Sequence, residues 1–283
     1  MIDKHGRKID HLRISVTQRC NLKCEYCHHE GELNPGKEVS EHEIKRIVKT
    51  LARFGIKKVK ITGGEPLIRK DILQIVRNIS SIKDIEEISM TTNGFLLEKL
   101  AAKLKIAGLT RVNIGCDSLT SVLPKNIEKV RNAIRAAKKV GLNPIKINMV
   151  VLKEINDKEI EKMISFAKEN QVILQLIELI NIDTDFYKKH YFPLDNIEKK
   201  FEKKASAVIT RKMHARKQYF MDNIIIEVVK PYKEDFCKNC TKIRVTSDGK
   251  IKPCLMINNN LTIFKNKSSI KKALETRCVY ADD

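Results

Sequence analysis

Between residue 12 and about residue 180, short runs rich in β-branched residues alternate with stretches whose apolar positions recur at the helical period. The strand-like runs are "LRISVT", "KKVKIT", "EEISMT", "TRVNIG", "PIKINMVV" and "VILQLIEL". Between them lie "SEHEIKRIVKTLARFG", "KDILQIVRNIS", "FLLEKLAAKLKIAG", "KNIEKVRNAIRAAKKVG" and "NDKEIEKMISFAKEN". Three of these helical patterns close on Gly55, Gly108 or Gly141, the residue that most readily ends a helix. Strands that are each followed by a helix predict a parallel sheet with right-handed crossovers. Period alone leaves an open doubly wound sheet and a partial barrel both standing.

After Ile180 the rhythm changes. One helical pattern, "LDNIEKKFEKK", leads into "ASAVITRKMHARKQYFMDNIIIEVV" and "KIRVTSDGKIKPCLM". The second of these holds "SDGK" between two alternating runs, a hairpin signal, and "KSSIKKALE" reads as a closing helix. The chain therefore divides into residues 1–180 and a smaller, hairpin-rich region, 181–283.

Composition changes this picture in three places. Hydrophobic residues make up 42% of the chain, enough for a large core, while aromatics are 5% and Trp is absent, which argues against base-stacking platforms. The apolar run "VILQLIELI" is interrupted by Gln175 and Glu178 and falls far short of the roughly 20 residues of a membrane span. No apolar signal segment follows Met1, so a cytoplasmic protein without a membrane partner is expected, its cysteines thiols or metal ligands. The net charge of +20 favours an anionic partner, but lysines spread over several helices would produce the same figure as a solvated surface.

Cys20, Cys24 and Cys27 stand within eight residues in "RCNLKCEYC". A structural zinc needs four ligands, which here would require His28 or His29. A cubane iron–sulfur cluster has four irons, and three cysteines leave one iron open for a further ligand. The second set, Cys237, Cys240 and Cys254, repeats the arithmetic: three thiols, with zinc possible only if Cys278 or Cys116 joins them. One βα unit after the first set the chain reads "KITGGEPLIRKD", and "TTNG" (Thr91 to Gly94) follows the third strand. Both fall at the carboxyl ends of strands, where parallel folds place ligands.

The Cys-x3-Cys-x2-Cys group with Tyr26 before its last thiol, followed by "GGEP", resembles the radical S-adenosylmethionine (SAM) superfamily. The resemblance implies a partial (β/α)6 TIM-like barrel, α/β in class, in which SAM chelates the open iron. An electron from the cluster then cleaves SAM to methionine and a 5′-deoxyadenosyl radical that abstracts a substrate hydrogen. It further implies that Tyr26 and Gly64 contact SAM, with Glu65 an added candidate. The spacing of the second thiol set and its "TSDGKIKPCL" ending resemble one family within it, the GTP 3′,8-cyclases that open molybdenum cofactor biosynthesis. That family implies a lyase with two [4Fe-4S] clusters and SAM as cofactors and GTP as substrate. An electron donor and the downstream cyclic pyranopterin synthase are its implied partners.

Carried over by position, the resemblance makes Arg13, Lys60, Thr91, Lys146, Lys242 and Arg244 GTP contacts, with Lys60 standing where the family usually has Arg. Cations suit a triphosphate, although a lysine lacks the guanidinium fork. Gly115 falls at a family serine that contacts SAM and leaves only backbone there. Gln175 replaces a family arginine, Ile180 a methionine, and "CVYADD" ends the chain where the family has two glycines. No catalytic acid or base is assigned. Two alternatives accompany this reading: a twin-cluster radical SAM enzyme acting on another substrate, and a basic, zinc-stapled nucleic-acid-binding protein. The long βα repeat and the scarcity of aromatics weigh against the second, and no nucleic-acid partner is expected.

Overall fold

The computed structural model describes residues 1–32, 34–120, 122–256, 262–264 and 267–277. Six βα-type strands appear where the alternating runs stand: β1 (His11–Ser15), β2 (Lys58–Thr62), β3 (Glu87–Thr92), β4 (Arg111–Gly115), β5 (Lys146–Val151) and β6 (Ile173–Glu178). The helices between them are α1 (Glu41–Arg53), α2 (Ile72–Ser80), α3 (Leu97–Ile106), α4 (Ile127–Lys139) and α5 (Ile160–Glu169). Local chemistry sets their starts. Ser40 Oγ accepts from the Glu43 amide at 3.2 Å, and Asn126 Oδ1 from the Lys129 amide at 3.1 Å, each satisfying one orphan donor of a first turn. Ile44, Ile47, Val48 and Leu51 then form the inward stripe of α1, all fully buried. Burying them stabilises by roughly 6–12 kcal/mol before entropy is counted.

The later part of the chain adds α6 (Thr184–His190), α7 (Asp195–Lys204), β7 (Ala207–Thr210), β8 (Lys217–Met221), β9 (Ile224–Val229), α8 (Glu234–Lys238), β10 (Lys242–Val245), β11 (Lys250–Lys252), β12 (Thr262–Ile263) and α9 (Lys267–Glu275). These strands extend the first sheet at both edges, giving the order β12-β11-β10-β1-β2-β3-β4-β5-β6-β9-β8-β7. The strands from β10 through β9 in that order are parallel, and the outer pairs are antiparallel hairpins. The hairpin around "SDGK" is β10–β11, and β10 pairs in parallel with β1.

Side-chain alternation decides which α/β architecture this is. Leu12 and Ile14, Val59 and Ile61, Val112 and Ile114, Ile147 and Met149 all join the hydrophobic core. Their neighbours in sequence, Arg13, Lys60, Asn113 and Lys146, line a cavity on the other face. A doubly wound sheet buries apolar residues on both faces. Here one face is apolar under helices and the other polar around a ligand-sized space, as a partial barrel requires. Among the described residues no helix is long and apolar enough to cross a membrane.

Candidate active site

The loop after β1 carries Cys20, Cys24 and Cys27 and rests on the loop after β2. The Gly64 amide donates to Thr17 O at 2.7 Å, and the Glu65 amide to Arg19 O at 2.9 Å. A Cβ on Gly63 would lie 2.2 Å from Thr17 O, and one on Gly64 2.3 Å from Arg19 O. The paired glycines therefore let one backbone approach another, the cysteine loop itself, which is a closer constraint than the ligand approach that the sequence suggests. Arg69 of the same "GGEPLIRKD" stretch donates to Val16 O at 2.5 Å and Val39 O at 2.7 Å, tying the loop's two ends.

Glu65 is buried and fully partnered. Its carboxylate accepts from the Leu67 amide at 3.0 Å, Thr92 Oγ1 at 2.7 Å and the Asn93 amide at 2.7 Å. It thus joins the "GGEP" and "TTNG" loops, while burial pushes its carboxyl up against those hydrogen bonds. Tyr26 is also buried, its hydroxyl donating to Asp117 Oδ2 at 2.7 Å. Asp117 follows Gly115 at the end of β4, pairs with Lys125, and accepts the Val150 amide at 2.8 Å. A Cβ on Gly115 would come within 2.8 Å of Lys125 Nζ, so that glycine makes room for the ammonium.

Both thiol sets line one cavity of about 370 Å³, a size common for small-molecule sites. Burial raises the thiols of Cys24 and Cys27 above the usual range. Cys240 moves the opposite way: burial opposes ionisation most strongly, but the positive charges of Arg277 and Lys242 and the Lys242 amide together outweigh it. Cys116 is wholly buried, its thiol pushed up to about 12 by burial, a core residue rather than a ligand. Cys278 lies outside the described residues. Among those described, no three His, Cys, Asp or Glu side chains converge on a point that a single ion could occupy. Fit is therefore judged on donor chemistry: three thiols without a fourth in the same loop match a cluster with one open iron.

Twelve lysines and arginines and five carboxylates line the same cavity. Strand register arranges many of them in rows. Arg244, Arg13 and Lys60 are direct neighbours across β10, β1 and β2. Thr91, Asn113 and Lys146 form a second row; Asn148, Gln175 and Glu227 form a third. Two buried acids that sequence reasoning missed organise the charge. Glu30 accepts from Arg13 Nε at 2.7 Å, Arg244 Nη1 at 2.9 Å and Thr62 Oγ1 at 2.8 Å. Burial opposes its ionisation, yet the two guanidiniums hold its carboxyl well below the carboxylate range. Glu227 pairs with Lys146, accepts from Arg211 at 2.9 Å, and lies 3.5 Å from Arg216. Burial works against its charge as well, but these cations keep it at about 2. Lys60 and Lys242 are held well below the ordinary lysine value, by burial first and neighbouring arginines next.

The cavity thus gathers Cys20, Cys24, Cys27, Cys237, Cys240, Cys254, Arg13, Tyr26, Lys60, Gly64, Glu65, Thr91, Gly115, Lys146, Lys242 and Arg244, the residues that the family resemblance assigns to clusters, SAM and GTP. The period-2 alternation was the signal that would also have found Lys58, Arg111 and Asn148, each two residues from a residue already chosen or from another on the same face. Glu30 and Lys125 sit in loops and had no such signal.

Comparison with known proteins finds likenesses along both parts of the chain. Residues 14–167 match the family model described as "Radical SAM superfamily", and residues 172–277 that described as "Molybdenum Cofactor Synthesis C". A protein of Archaeoglobus fulgidus named "Probable GTP 3',8-cyclase" is 45% identical over 273 residues, covering 92% of this chain and 90% of its own length. One of the same name from Methanocaldococcus jannaschii is 46% identical over 270 residues, again 92% and 90%. Among solved structures, Streptococcus suis SuiB superposes with a TM-score of 0.69 at 18% identity, over 96% of this chain and 66% of SuiB, a likeness of fold.

Proposed function

Because the chain belongs to the radical SAM superfamily and, within it, to the GTP 3′,8-cyclase family, we propose that it converts GTP to (8S)-3′,8-cyclo-7,8-dihydroguanosine 5′-triphosphate. This is the first step of molybdenum cofactor biosynthesis. The observation that carries the proposal is a single cavity edged by two sets of three thiols and floored by cations in register. In this reading residues 1–180 bind the first [4Fe-4S] cluster and SAM, and residues 181–283 hold a second cluster against the substrate. When bound, the first cluster supplies the electron that cleaves SAM to methionine and a hydrogen-abstracting 5′-deoxyadenosyl radical.

The chain's own residues do the rest. Cys20, Cys24 and Cys27 are the ligands of the first cluster, Cys237, Cys240 and Cys254 those of the second. Tyr26, fixed by Asp117, shapes the SAM side of the cavity, with Gly64 and Gly115 in the same lining. Arg13, Lys60, Lys146, Lys242 and Arg244 bind the triphosphate, and Thr91 offers a hydroxyl beside them. A triphosphate of about four negative charges suits a site where cations outnumber acids, and charge-assisted contacts hold it in one pose. Glu30 and Glu227 occupy the same cations in the free chain and share them with phosphate in the complex. A one-electron donor and the synthase that consumes the cyclised nucleotide are the proposed partners.

The test is an anaerobic reconstitution given dithionite, SAM and GTP. The expected products are 5′-deoxyadenosine and a cyclised GTP in step with each other. SAM cleavage that leaves GTP untouched rejects the substrate and points to a twin-cluster enzyme acting elsewhere.

A further inference from the structure

The C-terminal thiols come from three segments: Cys237 within α8, Cys240 in the turn after it, and Cys254 beyond β11. Two arginines from the opposite ends of the chain grip the backbone of all three. Arg7 Nη1 donates to Cys237 O at 2.8 Å. Arg277 donates to Cys240 O at 3.2 Å and, through Nη1, to Pro253 O at 2.9 Å and to Lys242 O. Its guanidinium also acts electrostatically on the Cys240 thiol. Both arginines are held by Asp3, whose Oδ2 accepts Arg7 Nε at 2.7 Å and Arg277 Nε at 2.8 Å. The Asp3 side chain is 0% exposed, that of Arg277 3% and that of Arg7 8%.

Buried arginines often do nothing more than fasten chain ends to a sheet. Here three of the four carbonyls just named belong to Cys237, to Cys240 and to the residue just before Cys254, and the fourth to Lys242. The electrostatics of the two thiol sets also differ. The positive charge of Arg277 acts on the Cys240 thiol. At the other set Lys125, the cation that acts on Cys24, is paired with Asp117. Positive charge and hydrogen bonds near cluster sulfurs stabilise the more negative, reduced state, and outer contacts orient the ligands.

We propose that Asp3, Arg7 and Arg277 form a clamp that positions Cys237, Cys240 and Cys254 for the second cluster, and that the positive charge of Arg277 raises that cluster's reduction potential. Arg277 is the central positioning residue. The proposal rests on the second-cluster reading given above. Its test uses the full chain, reconstituted anaerobically, with iron and sulfide counted and each cluster titrated by electron paramagnetic resonance. Wild type is expected to hold about eight irons per chain. Arg277→Gln is expected to fall toward about four while retaining reductive SAM cleavage within twofold, and its residual C-terminal cluster to titrate at a lower potential. Arg277→Lys keeps the charge and loses the fork, so iron falls while the potential stays near that of wild type. Asp3→Asn, which releases both arginines, is expected to lose iron from the same cluster.

Arg277→Gln with about eight irons and an unchanged potential overturns the clamp. So does loss of both clusters in parallel with a lowered unfolding temperature of the metal-free chain, which marks a general structural role. If Arg277→Gln does not fold, Arg277→Lys with full iron overturns it instead. A wild type holding only about four irons rejects the second cluster and the clamp together, whereas eight irons with indifferent variants rejects the clamp alone.

Discussion

Replacing Glu30 with Gln removes the carboxylate that lies between Arg13 and Arg244. The Glu30 side chain is 7% exposed, with Arg13 at 17% and Arg244 at 14%, so the trio is largely shielded from solvent. An amide can keep the hydrogen bond with Thr62 but cannot neutralise two guanidiniums. Breaking a buried ion pair by deleting one partner costs about 3–5 kcal/mol, and the lower end applies because the arginines border an open cavity. For a chain of this size each kcal/mol moves the midpoint of unfolding by roughly 2–4 °C, so a fall of roughly 6–12 °C is expected.

The assay is thermal unfolding of the reduced, metal-free chain, with and without GTP. With Arg13 and Arg244 binding phosphate as proposed, GTP would share the two arginines with Glu30 in wild type. In the variant it meets them unpaired, so GTP is expected to recover more of the variant's stability than it adds to wild type. The pH dependence has a definite sign. Glu30 titrates below its unfolded value of 4.5, so its contribution is fully present above that pH and is lost as pH falls further. The gap between wild type and Glu30→Gln therefore narrows on acidification. A gap under about 1 kcal/mol at pH 7, or one that widens toward acid, refutes the reasoning.

Cys24→Ala is expected to abolish reductive SAM cleavage, whereas Cys240→Ala retains part of it and loses GTP turnover; 5′-deoxyadenosine and cyclised GTP measured together separate the two. Burial brings Lys146 down to about 8 despite Glu227. Its charge is therefore lost as pH rises through 8, while unfolded lysines stay charged to about 10.5. Stability is expected to rise slightly over that interval as GTP affinity falls severalfold, and Lys146→Arg to carry the affinity past pH 9, as calorimetric titration would show. Gly63→Ala places a Cβ 2.2 Å from Thr17 O at a φ of +151°. About 1–3 kcal/mol of destabilisation is expected, with iron lost from the N-terminal set, and an unchanged unfolding midpoint would contradict the backbone contact described here.

Much of this architecture was legible because two periods carry it. The helical stripe of Ile44, Ile47, Val48 and Leu51 and the capping pair Ser40 and Glu43 stand in the sequence as they stand in the fold. The strands were legible too, but their alternation was informative beyond their location: Arg13 between Leu12 and Ile14, or Lys60 between Val59 and Ile61, marks a sheet with one polar face. Periodicity alone did not reveal that β9 and β10 join opposite edges of the first sheet, since strand pairing is a long-range property. Nor did it reveal Glu30, whose positive φ of +56° lies in a short turn with no repeating pattern.

That long-range pairing also gives meaning to Gln175, the position where the family resemblance calls for arginine. On β6 its amide donates to Glu227 at 2.8 Å, and Glu227 is its register partner on β9. From the far side of β9, Gln218 reaches the same carboxylate at 2.7 Å, and Arg211 and Arg216, which flank the β7–β8 turn, bring two guanidiniums to it. Arg216 Nε is buried without a hydrogen-bond partner among the described residues, so that side chain retains donor capacity within the cavity wall. An arginine at position 175 would bring one more guanidinium to a carboxylate already facing Lys146, Arg211 and Arg216, which like-charge repulsion in a buried site disfavours. The cation missing from β6 is thus present on the neighbouring hairpin, and the substitution at Gln175 relocates positive charge without emptying the cavity of it.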